Sequence, residues 1–287
     1  MWTPKDTGEY CLLDCSDGER LERWGSHVLA RPDPQVIWKN CRQDPAWKRV
    51  DARYKRSSSG GGSWSEHSLP EFWTISVGDY RFKIKPMGFK HTGLFPEQAA
   101  NWEWFSDKIR KAGRPIRVLN LFAYTGGATG AAAKAGASVC HVDAAKNMVA
   151  QAKENAALSG LQNAPIRYIV EDCAKFVSRE IRRGNRYDAV IMDPPSYGRG
   201  PGGEVWRLEE QIHPFLELVM QVLSPDPLFV LVNSYTTGLS AGTMGYLLQR
   251  ESAALGGQVS FDELGLRVAA TGGFLPCGAS ARWERKG

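Results

Sequence analysis

The most chemically pointed stretch of the sequence is Asp193-Pro194-Pro195-Ser196-Tyr197-Gly198, which follows directly on the apolar run Tyr187–Met192. Two consecutive prolines fix φ and remove two amide donors, so the segment offers a stiff ridge of carbonyl acceptors beside a carboxylate. Such a surface accepts hydrogen bonds, and it suits a nucleobase edge that carries an amine. Asp193, Pro194 and Pro195 are therefore candidate acceptor-site residues, with Tyr197 as an aromatic able to stack on a base. Trp206 and Arg207, just beyond the Gly198–Gly203 loop, are further candidates for substrate contact or surface packing.

Three other positions gain meaning from what precedes them. Ala123-Tyr124-Thr125-Gly126-Gly127-Ala128-Thr129-Gly130 joins an apolar run to a small-residue helical stretch. Adjacent glycines there allow a close approach to backbone, and the amino terminus of the helix favours an anionic group such as a carboxylate. Thr125 stands where the dinucleotide fingerprint has its first glycine. Asp143 ends the next apolar run, where an acid can accept from both hydroxyls of a ribose. Asp172, after Ile166–Val170, can accept from an adenine amino group or cap the following helix. Strand ends that suit an amino-acid carboxylate, a ribose and an adenine describe S-adenosylmethionine better than a dinucleotide.

The elements that must position these residues follow an alternating rhythm. Strands are predicted over 117–122, 138–142, 166–170, 187–192 and 228–233, with helices near 127–135, 146–159, 174–183 and 208–223 between them. A further helix near 243–254 and strands at 258–262 and 279–284 would complete a doubly wound, Rossmann-like, mostly parallel sheet of seven strands. Ligands of such sheets bind beyond the carboxyl ends of the strands. Ahead of it, Val28–Ala30 and Val36–Trp38 read as short strands, and Phe72–Val77 with Tyr80–Lys85 alternate around Gly78-Asp79 as a hairpin. The organisation expected is a small β-rich module over 1–85 and a catalytic domain over 86–287.

Together these motifs resemble the class I S-adenosylmethionine-dependent methyltransferases, and more narrowly the branch containing the bacterial 23S ribosomal RNA large-subunit methyltransferases. The carriers are Leu119-Asn120-Leu121-Phe122-Ala123-Tyr124-Thr125-Gly126-Gly127, Val142-Asp143, Glu171-Asp172, Asp193-Pro194-Pro195, and upstream Lys90-His91-Thr92-Gly93-Leu94-Phe95-Pro96-Glu97-Gln98. The resemblance covers about 90–287. It implies S-adenosylmethionine as cofactor, held by Tyr124, Gly126, Asp143, Asp172 and Asp193, with Phe95 and Gln98 from the segment that helps close over it. Two departures stand out: Ala99 replaces an arginine of many relatives, and Asn233-Ser234-Tyr235 lies where cytosine-C5 members carry a cysteine. Methylation at a pyrimidine carbon normally needs thiolate attack on the ring, so the expected acceptor is a base position reached without that route.

Composition bounds the rest. In 287 residues, 43% are hydrophobic and 23% charged, which supports a sizeable core. Six scattered cysteines, without paired CxxC spacing, read as free thiols in a reducing compartment, with Cys173 and Cys277 structural. The chain shows no apolar run of membrane-spanning length and no leader-like start, so a cytoplasmic protein is expected. No metal is expected, and His91 and His213 read as structural. Net charge is only +5, but Lys39, Arg42, Lys48, Arg49, Arg53, Lys55 and Arg56 crowd one stretch with Trp38, Trp47 and Tyr54 interleaved. That pattern fits either a phosphate backbone with stacked bases or the solvated face of a β module. RNA is the favoured partner. A protein or small-molecule acceptor, a nicotinamide oxidoreductase, and a non-catalytic RNA-binding protein with a retained pocket are the rival readings. The Ser57–Ser63 segment reads as a flexible loop.

Overall fold

The computed structural model describes residues 1–57, 61–65, 69–87, 91–199, 205–236 and 238–286. Ser58, Ser59 and Gly60 of the serine-glycine loop, Lys90, and residues 200–203 of the glycine-rich loop lie outside the described residues. The chain divides into two compact units, residues 1–100 with 265–277, and residues 101–264 with 278–287.

In the first unit β1 (Tyr10–Ser16), β2 (Glu19–Trp24), β3 (His27–Pro32), β4 (Ala52–Arg56) and β5 (Gly62–Ser65) form one sheet in that order. Neighbours pair antiparallel except β3 with β4, which run parallel. β6 (Trp73–Val77) and β7 (Tyr80–Ile84) form the expected hairpin, with Gly78 at φ 55° in its turn. Val36–Trp38, expected as a strand, is irregular. Its backbone and indole are used locally instead, since Trp38 Nε1 donates to the Cys15 carbonyl at 2.7 Å and the Trp38 carbonyl accepts from Asp17 N at 3.0 Å. A buried ionic group stands inside this sheet. Glu22 accepts from Tyr10 Oη at 2.8 Å and from Arg31 Nη2 at 2.6 Å, and the Arg20 guanidinium lies 3.5 Å away. Against the penalty of burial, the two arginines hold the Glu22 carboxyl down to about 2.

The second unit holds the sheet that positions the site. α1 (Ala99–Lys111) leads into β8 (Arg117–Leu121), α2 (Gly127–Lys134), β9 (Ser138–Asp143), α3 (Lys146–Leu158), β10 (Ile166–Val170), α4 (Cys173–Arg182) and β11 (Ala189–Met192). A short ribbon of β12 (Tyr197–Arg199) and β13 (Val205–Arg207) precedes α5 (Leu208–Met220), β14 (Phe229–Ser234), α6 (Ala241–Glu251), β15 (Gln258–Arg267) and β16 (Phe274–Glu284). The sheet order is β10-β9-β8-β11-β14-β16-β15. The first five strands pair in parallel and β16 runs antiparallel to β14, giving the seven-stranded, mostly parallel sheet of a class I methyltransferase fold.

The pattern of burial explains why these runs become strands. All four residues of β11 and all six of β14 are buried, as expected where helices cover both faces of a parallel sheet. Strand order reverses between β8 and β11, because the chain steps from β8 outward to β10 and then returns to the other side. That reversal opens the crevice at the carboxyl edge in which ligands of this architecture bind.

Candidate active site

At the reversal point the turn after β8 is held in an unusual backbone path. Phe122 has φ 54° and Tyr124 φ 49°, a left-handed region costly for residues with side chains, and Gly126 follows at φ 84°. Neighbouring elements supply the restraint. Asp143 Oδ2 accepts from Tyr124 N at 2.8 Å, Asn155 Nδ2 donates to the Thr125 carbonyl at 2.9 Å, and Phe122 N donates to Cys173 Sγ at 3.3 Å. Beneath the turn lies a buried relay in which Asn120 Nδ2 donates to Thr129 Oγ1 at 2.9 Å and that hydroxyl sits 2.9 Å from His141 Nδ1. Burial lowers the His141 pKa to about 3, so the ring stays neutral.

The two glycines are demanded by packing. A Cβ on Gly126 would lie 2.9 Å from Ala152 Cβ, and one on Gly127 would lie 2.5 Å from Trp102 Cζ2. What remains for a ligand is the first turn of α2, whose amino cap is Gly126 and which receives no side-chain cap. Its amides face outward along the helix axis, the arrangement that binds a carboxylate.

Asp143 closes β9 and accepts from Ala145 N through Oδ1 at 2.8 Å as well as from Tyr124 N. Two amides use two of about four lone-pair directions on a carboxylate, so it retains acceptor capacity for hydroxyl donors. Burial raises its pKa, while those two amides pull it back down. Asp172 is exposed and serves as amino cap of α4, accepting from Lys175 N through Oδ1 at 2.9 Å. Capping and ligand contact are compatible, since the bond engages one oxygen. The adjacent Glu171 is engaged by Arg179, including a 2.7 Å bond from Nη1. This donor set, uncapped helix amides followed by two successive carboxylates, fits the amino-acid, ribose and adenine parts of S-adenosylmethionine.

On the neighbouring strand, Asp193 N donates to the Leu121 carbonyl at 3.4 Å, which sets the loop after β11 beside the turn after β8. The proline carbonyls are not all available as acceptors. Pro195 O accepts the Trp206 indole N–H at 2.7 Å, and the Ser196 carbonyl accepts from Leu208 N at 3.1 Å. Tyr197 is 52% exposed in β12 and pairs across the ribbon with Arg207. Trp206 sits on the other face, its ring against Phe122 and Phe215.

Other residues singled out by the sequence lie elsewhere. Phe95 and Gln98 belong to the first unit, Phe95 as the residue ahead of a short 3-10 turn (Pro96–Gln98) and 5.3 Å from the His91 ring, with Gln98 buried. Cys173 is buried beneath the strand-one turn, and burial pushes its thiol far above the ordinary range. The cationic stretch is divided. Arg42 pairs with Asp17 at 2.9 Å and stacks 4.2 Å over Trp47, Arg53 pairs with Glu19, and Trp47 and Tyr54 are buried rather than presented for stacking. Lys39, Lys48, Arg49, Lys55 and Arg56 are exposed. Sequence spacing also did not reveal that α5 and α6 bring His213, Glu217 and Glu251 together, with His213 Nε2 3.2 Å from Glu251 and 3.7 Å from Glu217. Asn120, Thr129, His141 and Asn155 were likewise missed as site supports, because only the fold places them under the turn.

A strand-order reversal, an uncapped helix terminus and successive strand-end acids are the setting in which a doubly wound sheet can hold a nucleotide-type cofactor. Residues 39–230 match the family model described as S-adenosylmethionine-dependent methyltransferase, and the chain belongs to that family. A crystal structure of a SAM-dependent methyltransferase from Agrobacterium tumefaciens is 39% identical, covers 97% of this chain and 91% of its own, and superposes with a TM-score of 0.92. The tRNA m1G37 methyltransferase of M. jannaschii shares the fold at 13% identity, with a TM-score of 0.56 over 90% of this chain and 73% of that one. Ribosomal RNA large subunit methyltransferase K/L of Shewanella frigidimarina is 31% identical over 156 residues, 54% of this chain. The chain spans about a fifth of that relative's length, since the match covers 21% of it.

Proposed function

We propose that the protein methylates a base of RNA, in the cytoplasm, using S-adenosylmethionine, with residues 86–287 as the catalytic part and 1–85 as a module for substrate. The observation that carries this reading is the Asp193-Pro194-Pro195 loop set directly across the strand-order reversal from the uncapped amides of α2. When bound, the cofactor supplies an electrophilic methyl group on a good leaving group. The protein's task is then alignment and handling of one proton. Tyr124, Gly126, Asp143 and Asp172 hold the cofactor, joined by Phe95 and Gln98. Asp193 accepts from the acceptor amine and takes the proton that the nitrogen loses on methylation. The Pro194 carbonyl adds a second acceptor for the base edge, and Tyr197 stacks on it.

RNA is supported by the named activity of the Shewanella relative and by the exposed cations Lys48, Arg49, Lys55 and Arg56. Base methylation without a thiolate is supported by Asn233 and Ser234 at the end of β14, both buried and neither able to attack a ring. No helix among the described residues is long and apolar enough to cross a membrane, in keeping with a cytoplasmic setting. The test is mass spectrometry of ribosomal RNA nucleosides from cells with and without the protein. The expected result is loss of one methylated nucleoside other than 5-methylcytosine. An unchanged nucleoside profile, or transfer of labelled methyl only to protein or small molecules, overturns the RNA assignment.

A further inference from the structure

The ribbon that follows the Asp193 loop has two unlike faces, and its inner face touches the walls of the acceptor site. Prolines at 194 and 195 cannot donate, so this loop lacks two amides with which an ordinary turn would tie itself down. Its anchors come from outside. The Trp206 indole N–H reaches Pro195 O at 2.7 Å, and Thr236 Oγ1, just past β14, donates to Ser196 Oγ at 2.7 Å. The same indole packs 5.4 Å from the Phe122 ring and 5.6 Å, edge-on, from Phe215 of α5. Phe122 is the strained first residue of the cofactor-side turn. A single ring therefore joins the turn after β8, the loop after β11 and helix α5. Gln211 Nε2 fixes the base of the ribbon by donating to the Val205 carbonyl at 3.0 Å.

We propose that Trp206 is a positioning residue, whose indole N–H holds the Asp193–Ser196 loop in register with the cofactor-side turn while Thr236 holds its far end. This deepens the function proposed above and rests on it. In this role Trp206 acts through the Pro195 carbonyl, the acceptor of its indole N–H. A reacting pair displaced by about 1 Å loses on the order of 100-fold in rate, so a loop freed at its Pro195 anchor, with the backbone bonds of Asp193 N and the Ser196 carbonyl still in place, should lose about 10- to 100-fold.

The test compares wild type with Trp206→Phe, which keeps an aromatic ring but removes the donor, and with Thr236→Val. Transfer of tritiated methyl to total RNA from cells lacking the protein gives kcat and the KM for S-adenosylmethionine. Hydrogen exchange of the peptide over 192–199 reads the loop without any acceptor, in the presence of S-adenosylhomocysteine. The expected result is a kcat lower by about 10-fold or more in Trp206→Phe, with cofactor KM and S-adenosylhomocysteine affinity within about twofold, and faster exchange over 192–199. A melting temperature that falls while kcat per folded enzyme stays intact marks Trp206 as packing alone and overturns the proposal. If wild type transfers nothing to RNA, the RNA reading fails by itself, and the exchange experiment decides the brace: unchanged exchange in both variants refutes it.

Discussion

Replacing Asp143 separates two roles that meet in one side chain. Its carboxylate accepts from Tyr124 N and Ala145 N, each at 2.8 Å, and is proposed to accept from the cofactor ribose as well. Asp143→Ala strands both amides, at about 1–3 kcal/mol each where water cannot reach them, so a loss of roughly 2–6 kcal/mol in folding is expected. The ribose bonds are charge-assisted, about 1.5–3 kcal/mol each; losing one to two of them should weaken S-adenosylhomocysteine binding by about 10- to 10,000-fold. Asp143→Asn keeps one acceptor oxygen and should fall between. Acidity gives a second handle, with opposite signs for the two roles. Burial raises the folded-state pKa of Asp143 above its ordinary value. The folded state thus holds this proton more tightly than the unfolded chain, and the group's contribution to stability declines as pH rises from the unfolded pKa through the folded one. Ribose hydroxyls donate more strongly to the ionised form, whose bonds are charge-assisted, so cofactor affinity declines as pH falls through the raised pKa. Calorimetry with S-adenosylhomocysteine over a pH series, paired with thermal melts, checks both. Affinity of folded Asp143→Ala within about threefold of wild type, with no acid-side weakening in the wild type, would refute the reasoning.

Asp193→Ala should leave S-adenosylhomocysteine affinity within about fivefold while reducing methyl transfer by about 100-fold or more, the span of a lost general base; equal turnover in a single-turnover assay removes Asp193 from the chemistry. Cys173→Ala should retain transfer within about threefold and cost about 1–2 kcal/mol in denaturant melts, because the thiol is held protonated by burial, where it accepts from Phe122 N and donates to the Val142 carbonyl at 3.9 Å. Trapped covalent RNA adduct lost in this variant would contradict that. Asn101→Leu removes the acceptor of buried Arg282, bonded at 2.6 Å from Nη2, and a partner of Asn233 at 3.0 Å; a loss of about 2–4 kcal/mol is expected, read as a drop in melting temperature of roughly 5–15 °C. Replacing Lys48, Arg49, Lys55 and Arg56 with Gln should weaken RNA binding and reduce the salt slope by roughly 0.7 for each phosphate no longer neutralised, and an unchanged slope removes the first unit from RNA binding.

The alternation of apolar runs and small-residue helices was enough to place the parallel strands, because β8, β11 and β14 are almost wholly buried and their sequences run apolar through the middle, with polar residues such as Asn120, Asn233 and Ser234 toward their carboxyl ends. Positions just past those strands were legible for the same reason: topology forces them to one edge. The first unit was harder to read. β1 and β2 carry Asp14, Arg20 and Glu22 inside, so a half-buried alternation is disguised by charges that only the three-dimensional pairing with Arg31 and Asp33 makes tolerable. Trp38 misled in the opposite sense, an aromatic in an apolar triplet that packs through its indole N–H instead of joining a ladder.

Position along a strand also separates acids that composition cannot. Asp188 and Asp193 bracket β11, and both stand beside apolar residues. At the amino edge Asp188 is consumed by Arg114 at 2.8 Å, by Arg117 N at 2.9 Å and by Ser224 Oγ at 3.0 Å, so it closes the bottom of the sheet. At the carboxyl edge the two prolines after Asp193 bring no amide donors to their own loop. The same strand thus carries one acid committed to stability at its amino end and one at the edge where ligands of such sheets bind. Side-chain support of that loop comes from Trp206, which the sequence singled out only as a candidate for substrate contact or packing, and from Thr236, which it did not single out, because only the fold brings their donors to Pro195 O and Ser196 Oγ.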